Sequence, residues 1–288
     1  MVGIQTGEPG MIKDIAFHLS VRVDDIATID YAVSVAAAFE AHLAGIAFAL
    51  DPFIPPTMGI GDSVPADWVD ERRADAQAAA LAAIAHFEEA ARRNGISAEA
   101  RRLDASLAGA TEMFGRIARR FDLSIVRQAE RGKAPLEDLV IEAALFDSGR
   151  PVLIVPYIQR TPLKLDRVLV CWDGGRSAAR AVGDAIPFLN RAKEVEVVIV
   201  QGDAGKSDEL PGADIGEHLA RHGLSVDVKR IVAAKGNVSD TILSHAADIG
   251  ADFLVMGGYA HSRLREFILG GVTRGILGTM TVPVLMSH

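Results

Sequence analysis

Near the carboxyl end of the chain, Gly257-Gly258 and Gly270-Gly271 bracket a polar loop that carries His261, Ser262, Arg263 and Arg265. Glycine has no Cβ, so a ligand can approach bare backbone N–H groups at such positions. The short apolar run Phe253-Leu254-Val255-Met256 before Gly257 reads as a buried parallel strand, and the segment opened by Gly270 has the apolar spacing of a helix. A helix start favours negative charge through its dipole and its unpaired N–H groups. Anion binding is the chemistry this spacing suits, with His261 and Arg263 placed to meet phosphate oxygens. Tight turns in a wound sheet and solvated arginines would give the same pattern.

Other chemistries find less support. The single cysteine, Cys171, lies inside the apolar run Val168-Leu169-Val170-Cys171-Trp172 and reads as a buried small hydrophobe. No His, Cys and carboxylate cluster has metal-ligand spacing. Val200 to Ser207 ends like a phosphate-binding loop, but Val200 stands where its first glycine should be and Pro211 interrupts the helix that must follow. No general base is paired with a positioned nucleophile, which argues against an enzyme.

The elements that must position these residues alternate between strand and helix. Strands are expected at 14–19, 42–50, 96–103, 123–126 and 151–155, and again at 167–172, 195–200, 225–231, 253–256 and 282–286. Helices are expected at 26–40, 66–93, 107–120 and 136–146, then at 177–189, 215–222, 238–249 and from Gly270. Phe121 to Val126 aligns with Ala251 to Met256, and Pro151 to Ile154 with Pro283 to Met286, so the chain reads as an internal duplication. The first copy is longer, chiefly in the proline-rich loop 51–65 and the helix after it. Alternation of this kind implies right-handed crossovers and a parallel sheet in each half, with ligands beyond the strand carboxyl ends.

The run Gly257, Ala260, Gly270, Gly271 resembles the nucleotide-binding signature of the universal stress protein family: glycine, two residues, glycine, nine residues, glycine, then serine or threonine. Gly257 and Gly270 keep the expected type. Ala260 adds a Cβ at a cost of about 1–2 kcal/mol if a positive φ is retained. Gly271 lacks a hydroxyl whose hydrogen bond to a charged partner is worth about 1.5–3 kcal/mol. The resemblance implies a tandem member with two Rossmann-like α/β domains, 1–157 and 165–288, each a five-stranded parallel sheet flanked by helices. It also implies antiparallel pairing of the terminal strands 152–155 and 284–287, an intramolecular pseudo-dimer that covers two sheet edges.

For the site, the resemblance implies ATP or a related adenine nucleotide, with Mg2+ as companion. Asp173 would face the adenine or ribose side, unless it only caps the next helix. Val200 and Gln201 would offer backbone groups to adenine. Gly257, Ala260, Gly270 and Gly271 would lie under the phosphates, and Thr273 could replace the missing hydroxyl. The first half lacks a second glycine site after Val126, and Glu137 and Asp138 would repel phosphate at its helix start. No nucleotide is expected there.

The formal net charge of −8 opposes a general nucleic-acid partner. No apolar run is long enough to span a bilayer, so a soluble cytoplasmic protein is expected. The leading expectation is a stress-response protein that regulates through nucleotide occupancy and association, with a homo-oligomer and a further protein partner. A structural or small-molecule-sensing protein without nucleotide, and a slow ATPase, are the alternatives.

Overall fold

The computed structural model describes residues 11–22, 25–53, 65–130, 132, 135–201, 213–233, 237–258 and 271–288. The first half runs β1 (Asp14–His18), α1 (Ile26–Phe39), β2 (His42–Leu50), α2 (Ala66–Asn94), β3 (Ala98–Ala105), α3 (Leu107–Ala118), β4 (Leu123–Arg127), α4 (Leu136–Asp147) and β5 (Val152–Val155). The second runs β6 (Arg167–Cys171), α5 (Arg176–Leu189), β7 (Glu194–Gln201), α6 (Ala213–Arg221), β8 (Val226–Val232), α7 (Val238–Asp248), β9 (Phe253–Gly257), α8 (Gly271–Thr279) and β10 (Val284–Ser287). The expected third strand is shifted to Ala98–Ala105, because Gly95 caps α2 in the left-handed conformation and the chain needs two more residues to reach the sheet. The length difference between the halves sits largely in α2, 29 residues against nine for α6.

Ten strands form one sheet, in the order β3-β2-β1-β4-β5-β10-β9-β6-β7-β8. Each half contributes five parallel strands, and the halves join where β5 and β10 pair antiparallel, with Leu285 opposite Leu153. The apolar faces of α1, α2, α5 and α6 cover one side of the sheet, and those of α3, α4, α7 and α8 cover the other. Phe188 ties the halves together on the first side, edge-on to Phe39 at 4.8 Å and stacked on Phe253 at 5.0 Å.

A repeated device starts each half. Asp122 accepts hydrogen bonds from the backbone N–H groups of Lys13 and Asp14, and Asp252 does the same for Asp166 and Arg167. These bonds place Asp14 and Arg167 at equivalent positions, and the strand registers carry the equivalence outward. His42 N–H meets the Lys13 carbonyl as Glu194 N–H meets that of Asp166, so Ala44 is the counterpart of Glu196. One register further, Arg101 is the counterpart of Lys229.

Glu196 is buried on the α7 side, where it accepts hydrogen bonds from Lys229 Nζ at 2.6 Å and meets His245 Nε2. Burial works against its charge, but the bonds from Lys229 and His245 outweigh that and hold the carboxyl below the ordinary glutamate range. A lowered folded pKa stabilises the fold above the ordinary value of about 4.3 and is lost as the pH falls through the folded value. Glu196→Gln is therefore expected to flatten the acid limb of a plot of urea midpoint against pH below about 4.3. An unchanged acid limb would show that the cluster carries no proton-linked stability.

Candidate functional site

The glycine at the end of β9 is required by packing. A Cβ on Gly257 would lie 2.5 Å from the Ala178 nitrogen and 2.6 Å from the Ser177 carbonyl carbon, both backbone atoms of the first turn of α5. Backbone therefore meets backbone where β9 ends and α5 begins, and no side chain caps that first turn. Gly258 is confined by a side chain that can shift, with Leu145 Cδ2 of α4 in the first half 2.7 Å from its virtual Cβ. Gly271, the first residue of α8, has nothing within 4 Å of that position among the described residues. Further along α8, Gly275 lets the helix pass over Ser239 of α7.

Asp173 is exposed after β6, and its Oδ1 accepts a hydrogen bond from Gly175 N–H at 2.7 Å. The residue holds the turn into α5, where Gly175 is the N-cap. Val200 and Gln201 close β7, opposite Ile231 and Val232. The Gln201 carbonyl accepts from Ala233 N–H. Strand alternation turns the Val200 backbone the other way, toward β6, which has already ended at Cys171 opposite Val198. Thr273 is buried on the face of α8 that also buries Ile276. Asp173, Val200, Gly257 and Gly271 thus stand at the strand carboxyl ends and the α8 start of one half, while Ala260, His261, Arg263 and Gly270 lie outside the described residues.

The corresponding end of the first half is filled by its own side chains. Arg127 occupies the place of Gly257, and its Nε lies 3.1 Å from Asp25 Oδ1 at the N-cap of α1, with both side chains almost fully buried. Arg127 also pairs with Glu130, which Arg22 approaches at 3.5 Å. Gln128, the next residue, donates to the Leu277 carbonyl of α8 at 2.7 Å and accepts from Tyr157 N–H. Glu137, expected to repel phosphate, is buried in the first turn of α4 with Ser20 Oγ 3.5 Å away. This guanidinium at the α1 start is the feature that sequence reading missed, although Arg127 closing an apolar strand was its signal.

His18, at the end of β1, was also missed. It is buried between Phe48 and Phe114, with ring centroids 6.0 and 5.7 Å away, and neither ring nitrogen has a partner among the described residues. Burial pushes its imidazole down to about 4, so the ring is neutral at ordinary pH. At the equivalent position of the second half, the Cys171 thiol is pushed up to about 12 by burial and by nearby Asp173, which makes it inert as a nucleophile.

These contacts separate two glycines that look alike in sequence. Gly257→Ala is expected to cost about 1–3 kcal/mol through overpacking against the α5 backbone. Gly271→Ala is expected to leave stability within about 0.5 kcal/mol of the parent. Chemical denaturation of both variants checks the pair, and equal losses would contradict the packing described.

Residues 164–288 match the model of the universal stress protein family. A universal stress protein of Synechocystis is 25% identical over 148 residues, which is 50% of this chain. That match spans about half the length of the relative, 49%. Among solved structures, a universal stress protein of Archaeoglobus fulgidus is 22% identical and covers 94% of this chain and 97% of its own, with a TM-score of 0.64. A functionally unknown protein of Pseudomonas aeruginosa PAO1 is 15% identical over 95% of this chain and 92% of its own, with a TM-score of 0.59. At these identities the solved structures share the fold, and both halves take part in the likeness. Residues 164–288 are thus similar to the universal stress protein family, and the chain as a whole shares the fold of its solved members.

Proposed function

We propose that this protein binds ATP or a related adenine nucleotide at the carboxyl ends of β6, β7 and β9, and that the chain divides into domains 1–157 and 165–288. The observation that carries the reading is the close approach that Gly257 permits between the end of β9 and the start of α5, with Gly271 starting α8 after the same strand. The start of α5 has no side-chain cap among the described residues, and such a helix start beside the strand end favours a polyanion. The Val200 backbone would serve the base, Asp173 the ribose side through the carboxylate oxygen not engaged with Gly175, and Gly257, Ala260, Gly270 and Gly271 the phosphates. His261, Arg263 and Thr273 complete the proposed set.

The first domain would act as structural partner. Arg127 and Asp25 stand where backbone meets backbone in the second half, and acidic Glu137 and Asp138 lie in the first turn of α4. Among the described residues, no group of three His, Cys, Asp or Glu could hold a metal ion. Mg2+ enters the reading as the counter-ion that accompanies ATP. No helix of the described residues is long and apolar enough to cross a membrane. Nucleotide occupancy would order the glycine loop and alter self-association or docking of a protein partner in the cytoplasm.

Titration calorimetry with ATP and Mg2+ tests the reading. Saturable binding at one site per chain is expected. Gly270→Trp should abolish it, and Gly271→Ser should tighten it about tenfold by restoring the hydroxyl donor. No heat up to about 10 mM ATP, in protein first freed of bound nucleotide, would overturn it. Turnover well above background would favour the ATPase instead.

A further inference from the structure

A recess lies at the amino-terminal ends of the first-half strands, on the α3 side of the sheet. It measures about 320 Å³, at the small end of the usual range for ligand pockets. Ala44, Ile46 and Leu103 give it an apolar floor, and Asp14, Arg101 and Arg120 stand around it.

The duplication explains why this recess is open. In the second half, Arg167 spans the equivalent space to the Ile249 carbonyl while also pairing with Glu194. Glu196 fills the strand face, held by Lys229 and His245. In the first half those two positions are Asp14 and Ala44. The shorter Asp14 side chain does not make the bond that Arg167 makes, and the Ala44 methyl leaves the space of a glutamate side chain above β2.

The charged lining specifies a ligand. Asp14 Oδ1 is buried with no hydrogen bond among the described residues. Burial, together with nearby Asp122 and Glu99, raises that carboxyl against the lowering influence of His42, and a cation brought to the part of Asp14 that lines the recess would offset that burial. Arg101 is engaged with Glu99 at 3.0 Å, whereas Arg120 forms none of the ion pairs found among the described residues. We propose that the recess binds a small zwitterion with an apolar side chain, an α-amino acid in chemical class. Its ammonium meets Asp14, its carboxylate meets Arg120, and its side chain covers Ala44, Ile46 and Leu103. This site is independent of the nucleotide reading, shares none of its residues, and would make the first domain the sensor of a metabolite.

The test is titration calorimetry of the full chain with L-leucine and L-phenylalanine, beside 4-methylpentanoic acid, which lacks the ammonium, and isoamylamine, which lacks the carboxylate. One saturable site is expected for at least one amino acid, with both truncated analogues about tenfold weaker or worse. Ala44→Glu, which recreates the filling seen in the second half and can pair with Arg101, should abolish that binding while leaving ATP titration unchanged. Arg120→Ala, at an exposed position, should weaken the amino acid about tenfold without changing the far-ultraviolet spectrum. It keeps the test decisive if Ala44→Glu fails to fold. Absence of saturable binding up to about 10 mM, or equal binding of 4-methylpentanoic acid, would overturn the proposal.

Discussion

The antiparallel pairing of β5 with β10 is the constraint on which the molecule depends. Each strand would otherwise end its half-sheet with a row of unpaired backbone groups. Their union makes one ten-stranded sheet and also reverses the strand direction at the seam. The carboxyl ends of the two halves therefore face opposite ways. That reversal brings the start of one half against the finish of the other. Leu145 of α4 packs on Gly258, and the end of α8 reaches Gln128. The strand carboxyl ends of each half are thus partly walled by the other half.

Within this frame the two halves keep the backbone and exchange the side chains. Asp122 and Asp252 anchor the strand starts in the same way. At the strand carboxyl ends, Gly257 leaves room for backbone contact with α5, while Arg127 fills the matching place with a buried ion pair to Asp25. At the amino-terminal ends the pattern inverts, with the second half filled by Glu196 and Arg167 and the first left open by Ala44 and Asp14. Duplication supplied two pairs of equivalent strand ends, and side-chain size and charge decide which member of each pair is filled. Removing one partner of a buried pair such as Arg127 and Asp25 is costly, so its filled state is stably maintained.

Much of the fold was legible in the sequence because its signals are local or repeated. Apolar runs before glycine marked the strands, the 3.6-residue apolar spacing marked the helices, and the copy of Phe121 to Val126 in Ala251 to Met256 marked the repeat. The seam followed from the resemblance together with the need to cover two sheet edges. The site was legible in part: residue type at Gly257 pointed to the strand end, but the α5 backbone lying 2.5 Å from its virtual Cβ is a distance no sequence displays. The same holds for Asp173 engaging Gly175, for Thr273 turning inward, and for Arg127 meeting Asp25 across about a hundred residues. Such contacts join elements remote in the chain, and local propensity carries no record of them.

On the proposed reading, the two halves are built on one backbone, but only residues 165–288 accept a nucleotide. Photoaffinity labelling with an azido-adenine analogue of ATP, followed by peptide mapping, tests this most directly. The account expects the label on peptides of 165–288, around the ends of β6 and β7, and its loss when excess ATP competes. Competable label on peptides of 1–157, or label that ATP does not displace from either half, would contradict it.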